Sequence, residues 1–298
     1  MDLLWVQGVV IAFSSSLFFA LYVVPRKYSK ISPIVFSFYV GFGFFLVSLI
    51  SYGIQQVLGL NTSSTLIGLG IFQAILIGIT WTTGLICLLS AIDHIGLASS
   101  NQWKNLQGPI GVLGSLFFLG EAARTNSFFA LLSGVFIFIA AYLFTIPSLH
   151  KKAIDHIGVI YSLFAAICFG LTTVLNKFAN DSIGIAMQQL IWSATIIVFL
   201  GIILGTKGGF KAFRAPRRDI LLGMVGGMLY WLSSFTMLAS YQFIPVSVAF
   251  TIIQLNTLWV VAMGIGFFRE INLSRYWRRI LFGVLLSIAG VLLLALTK

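Results

Sequence analysis

Charge is what this sequence has least of. Only 8% of its 298 residues are charged, against about 25% in soluble domains. So few charges cannot cover an apolar core of this size with a solvated surface. An ordinary soluble enzyme and a disordered chain are thereby excluded. Cysteine is nearly absent. Cys87 and Cys168 both lie in apolar runs and form neither a CxxC nor a metal-ligand spacing. That excludes a secreted disulfide scaffold and leaves the redox compartment unreadable. Acids number 7 against 18 Lys and Arg. Asp93, Glu121, Asp155, Asp181, Asp219 and Glu270 all sit at the edges of apolar runs. A carrier of organic cations wants a buried acid as counter-ion, so this pattern argues against cation efflux. No HExxH, GxSxG, P-loop or metal-spaced Cys/His set is present. The sequence therefore reads as a non-enzyme with no metal or cofactor.

What it does have is apolar length. Hydrophobic residues make up 59% of the chain and the mean hydropathy is +1.04. Runs of spanning length fall at 4–24, 33–54, 66–90, 97–119, 127–146, 157–175, 183–205, 219–241, 245–268 and 278–296. Each is long enough for a membrane helix and lacks the alternation of a barrel strand. The first run has no small-residue cleavage site after it and reads as a retained span. The net charge of +11 would suggest nucleic acid in a soluble protein. Here the cations fill short gaps between spans, so the lipid bilayer is the expected partner and nucleic acid is not. Fourteen of them, from Arg26, Lys27 and Lys30 to Arg275, Arg278 and Arg279, fall in odd-numbered gaps. The positive-inside rule puts those gaps in the cytoplasm and both termini outside the cell membrane.

A repeat is visible in the rare polar residues. A shift of 150 lays Lys27 on Lys177, Gly8 on Gly158 and Ser32 on Ser182. A shift of 149 lays Gly78 on Gly227, Trp81 on Tyr230, Asn105 on Gln254, Gln107 on Asn256 and Glu121 on Glu270. The expected fold is an all-α membrane protein of ten transmembrane helices in two five-helix repeats, 1–148 and 149–298. An odd number of spans per repeat inverts the second in the membrane, a plan used by secondary transporters with a midplane site.

Polar groups inside spans carry the functional reading, because each is costly there without a partner or a wet cavity. Gln107 lies about 15 Å into span four at 1.5 Å per residue. Lys104, Asn105 and Trp103 precede it, and Pro109 then removes a backbone donor. Span nine repeats the theme with Gln254 and Asn256. Amides also hold spans together, and that alternative stays open for each residue. Matching positions in both halves favour a shared cavity. Trp81 and Tyr230 supply aromatic plates for the CH face of a polyol, and Asn and Gln both donate and accept for its hydroxyls. Gln189 adds a further amide. Lys104, the one cation clearly inside a span, either snorkels or attracts a carboxylate or phosphate.

These residues resemble a known family. Lys27 and Lys177 closing spans one and six, Ile31-Ser32-Pro33 opening span two, and the Gly120-Glu121 and Arg269-Glu270 ends of spans four and nine resemble the drug/metabolite transporter superfamily. Gly227-x-x-Tyr230, the stretch Val246 to Leu255, and Phe267-Phe268-Arg269-Glu270 are similar to the bacterial glucose/ribose uptake porters, relatives of rhamnose–proton symporters. The resemblance implies membrane uptake of neutral sugars, proton coupling and no cofactor. Trp81, Tyr230, Gln189 and Gln254 fall on positions that the family pattern shares. Trp103-Lys104-Asn105 departs from a pattern that is small and neutral there, which leaves room for an acidic sugar or another metabolite.

The expected function is secondary transport of a small neutral sugar or polyol by alternating access. The expected substrate-binding residues are Trp81, Asn105, Gln107, Tyr230, Gln254, Gln189, Asn256, Lys104 and Trp103, in a monomer or homodimer. Two alternatives stand: a carrier of organic anions or sugar phosphates through Lys104, and a channel-like or sensory membrane protein.

Overall fold

The computed structural model describes residues 3–59, 67–120, 126–144, 155–208, 213–269 and 273–295. The 148/149 boundary, Glu121, Arg124, His150, Lys151, Lys152, Lys211, Glu270 and Lys298 lie outside them. The described residues form helices: α1 (Leu3–Leu21), α2 (Pro33–Val57), α3 (Ile67–Ile95), α4 (Leu97–Lys104), α5 (Gln107–Phe118), α6 (Ser127–Phe144), α7 (His156–Ile183), α8 (Ile185–Gly208), α9 (Arg217–Ser240), α10 (Val246–Ile253), α11 (Asn256–Gly266) and α12 (Leu273–Ala295). A 3-10 turn at Val24–Tyr28 extends α1. Among the described residues, seven helical segments are long and apolar enough to cross a membrane, with α10 and α11 counted as one segment. The protein is thus an all-helical, multi-pass membrane protein.

Helix ends follow local chemistry. The Ser32 hydroxyl accepts from Val35 N–H ahead of Pro33, and Asp155 accepts from Ile157 N–H to cap α7. Gly184, with φ +72°, turns α7 directly into α8.

Polarity is arranged inside out. Phe117, Phe118 and Phe267 are exposed, while Ser15, Thr82, Gln188, Gln189 and Asn256 are fully buried. Hydrocarbon takes the apolar exterior, and interior polar groups bond from helix to helix. Glycines bring backbones together. A Cβ at Gly227 of α9 would lie 2.1 Å from the Val40 carbonyl oxygen of α2.

Contacts recur in matched pairs under the sequence shifts noted above. A Cβ at Gly8 would meet Ile244 Cγ2 at 2.8 Å, and one at Gly158 would meet Ile95 Cγ2 at 2.7 Å. α1 packs on α9 as α7 packs on α3, and α1 on α10 as α7 on α4.

Candidate functional site

Two interruptions create the site. The sequence reads 97–119 and 245–268 as single runs. The structure breaks the first between Lys104 and Gln107 and the second between Ile253 and Asn256. At the first break Pro109 has no N–H, so the Asn105 carbonyl accepts instead from Gly108 N at 2.9 Å. Leu106 N bonds Trp103 O at 3.2 Å. The second break repeats both tightened bonds 149 residues on. Thr257 N reaches Gln254 O at 3.1 Å, and Leu255 N reaches Ile252 O at 3.0 Å. No proline stands there; Leu258 occupies the corresponding position.

The amides at the breaks bond crosswise. Asn256 Oδ1 accepts from Asn101 Nδ2 and from Asn105 Nδ2, each at 3.2 Å. Gln107 Nε2 reaches Gln254 Oε1 at 3.5 Å, the longest of the set. Since Asn105 corresponds to Gln254 and Gln107 to Asn256, each pair is the image of the other. Asn105 Oδ1, Gln254 Nε2 and Asn256 Nδ2 remain buried without a hydrogen-bond partner among the described residues. Buried amide atoms of this kind are costly unless water or a ligand meets them.

Beside this cluster lies a narrow hollow of about 30 Å³, room for about one water. Trp81, Lys104, Gln107 and Tyr230 line it, so four of the nine expected residues meet there. Trp81 and Tyr230, which correspond under the shift, are in ring contact with centroids 4.3 Å apart. Phe44 and Trp192 pack against Tyr230 from behind. Asn105, Gln254 and Asn256 form the amide cluster beside the hollow rather than its wall. Gln189 lies elsewhere, its Nε2 donating to Ser234 Oγ at 2.8 Å and tying α8 to α9. Trp103 is half-buried and also absent from the wall.

Sequence reasoning passed over other wall residues. Phe19 and Tyr22 come from the end of α1 and its extension, and Phe169, Thr172, Thr173 and Asn176 come from α7. The signal was present: Phe19 falls on Phe169 and Tyr22 on Thr172 at a shift of 150. Asn176 is held by Gln188 Nε2, which donates to its Oδ1 at 2.9 Å. Lys104 Nζ shows no hydrogen bond or ion pair to a described residue, although the side chain is 2% exposed. Among the described residues, no carboxylate lines the hollow.

Formal charges pair near helix ends, Lys177 with Asp181 in the last turns of α7. Arg26, after α1, pairs with Asp93 in the last turn of α3. Asp155, before α7, meets His94 Nδ1 at 2.7 Å. The His94 hydrogen bond, with help from Ile157 N–H, holds the Asp155 carboxyl below the usual carboxylate range.

Comparison with known proteins agrees with this architecture. Residues 2–147 match the sugar transport protein family. A stretch of 74 residues, 25% of this chain, is 38% identical to a Klebsiella pneumoniae (strain 342) protein described as a probable 4-amino-4-deoxy-L-arabinose-phosphoundecaprenol flippase subunit, ArnE. That match spans 57% of the relative's length. A solved crystal structure shares the fold over 98% of this chain and 96% of its own, with TM-score 0.62 and 12% identity. By these matches the first part of the chain, residues 2–147, is similar to the sugar transport proteins.

Proposed function

We propose that the chain is a secondary carrier for a small sugar or related polyol. It has ten spans in two inverted five-helix repeats, 1–148 and 149–298, and works by alternating access. One observation carries the reading: two corresponding helices break at corresponding residues, beside a hollow lined by Trp81, Tyr230 and Gln107. Broken helices in matching positions of two halves mark the substrate site in inverted-repeat carriers. The crosswise amide pairs and the matched glycine contacts support a pseudo-two-fold axis through that point. α6 and α12, together with the halves of the two broken helices, complete the ten spans.

The chemistry of the wall suits a polyol. Aromatic faces pack on CH groups, while Gln107, Asn176 and the Thr172 and Thr173 hydroxyls both donate and accept. The names of the relatives, a sugar transport family and an aminoarabinose-lipid flippase subunit, lie in the same chemistry. With cations concentrated in the odd gaps, the carrier sits in the cell membrane with both termini outside.

The test is thiol protection. Trp81, Asn105, Gln107, Tyr230 and Gln254 are changed singly to Cys in a background lacking Cys87 and Cys168. Sugar should slow labelling by a membrane-permeant reagent, most at Trp81, Gln107 and Tyr230. Absence of protection at all five positions would end the reading. Counterflow in reconstituted vesicles then separates a carrier from a pore, which cannot show it.

A further inference from the structure

We propose that the site around the hollow, which must widen to load, takes a sugar acid, a polyol with one carboxylate seated on the Lys104 ammonium. The inference rests on the carrier reading and narrows its cargo. Lys104 lines the hollow, is 2% exposed, and makes no ion pair or hydrogen bond with a described residue. An ammonium taken out of water without a counter-charge is among the costliest groups a protein can bury. The C-terminal end of α4 gives it a partial negative field, worth only a fraction of a full charge. Anchoring at the headgroups is not what the geometry provides, because the side chain stays inside, against the wall of the hollow. The position corresponding to Lys104 in the second half is Ile253, which lines the same hollow. The charge is therefore confined to one side of the pseudo-two-fold site, where a ligand with one charged end finds it.

Charge and shape select the class. One cation with no acid beside it is neutralised by one negative charge. A carboxylate supplies that, whereas a phosphate monoester brings about −1.5 to −2 at pH 7 and would leave charge unmatched in a buried site. The remaining wall argues for hydroxyls on the rest of the ligand. Gln107 and Asn176 are amides, Thr172 and Thr173 are hydroxyls, and Trp81 and Tyr230 give flat apolar faces. A plain fatty or aromatic acid would leave these polar groups unmet.

The experiment measures binding to the purified full-length protein in nanodiscs by titration calorimetry. The probes are D-glucuronate, D-galacturonate and D-gluconate, their neutral parents D-glucose and D-galactose, and D-glucose 6-phosphate. At least one acid should bind tenfold or more tightly than its neutral parent and than the phosphate. Lys104→Gln should abolish that margin, and Lys104→Arg should keep part of it. Thermal melting of the ligand-free variants provides a second readout. Removing an uncompensated charge should leave the melting temperature of Lys104→Gln equal to or above the parent's, so a large drop would show Lys104 paired and overturn the proposal. Neutral sugars binding as tightly as every acid would overturn it and leave the carrier reading intact. Tighter binding of the phosphate would overturn the carboxylate assignment. Failure of all the probes to bind would count against both.

Discussion

The two interrupted helices carry the same backbone break on different side chains. In the first half the break is flanked by Lys104, Asn105, Gln107 and Pro109, and in the second by Ile253, Gln254, Asn256 and Leu258. The tightened hydrogen bonds coincide residue for residue, with a proline on one side only. Backbone geometry at the site is thus set by packing and crosswise amides, not by proline alone. The side chains facing the hollow differ, a cation against an isoleucine, so a symmetric scaffold presents an asymmetric wall.

The comparison of halves breaks most sharply at the helix crossings. Gly78 and Gly227 correspond, yet a Cβ at Gly227 would meet the Val40 carbonyl oxygen at 2.1 Å, whereas one at Gly78 would meet Thr195 Cβ at 2.6 Å. Gly227→Ala must push two backbones apart and should cost about 3 kcal/mol, against about 1–2 kcal/mol for Gly78→Ala. Chemical denaturation in detergent measures both, and equal losses would show the two crossings to be equivalent. Next in size is the amide cluster. Asn256→Ala strands two donors and should cost about 2 kcal/mol, while Asn101→Ala strands none and should cost about 1 kcal/mol. A double-mutant cycle between them reads the coupling directly. The smallest effect belongs to Pro109→Ala. The second half holds its break without proline, so this change should cost no more than about 1 kcal/mol and leave sugar protection at Gln107 unchanged. Loss of that protection would make the proline, and with it the first half, the sole organiser of the site.

Much of this was legible in residues that are rare in the chain. The apolar runs located the helices, and the polar coincidences at a shift of 149 picked out the residues that flank the two breaks. The ends of helices were less legible. The run ending near 175 continues as helix to Ile183. Asn176 and Asn180 lie beyond that run, yet Asn176 bonds Gln188 and Asn180 Nδ2 bonds the Leu238 carbonyl inside the protein. The break in span nine left no trace, because neither glycine nor proline stands at Gln254 or Leu255 and its support is tertiary. The α1 side of the hollow was hidden for a related reason. Phe19 and Tyr22 are ordinary residues for a span, and only the neighbours supplied by α3 and α9 make them a wall.

Asn256 Oδ1 holds two amides at once, one in α4 and one at the break that follows it. That single oxygen acts as a hinge pin between chain segments about 150 residues apart in sequence. If either elbow bends as the protein changes shape, the pin transmits the bend to the other, so the two halves move as a linked pair of joints and not as independent levers.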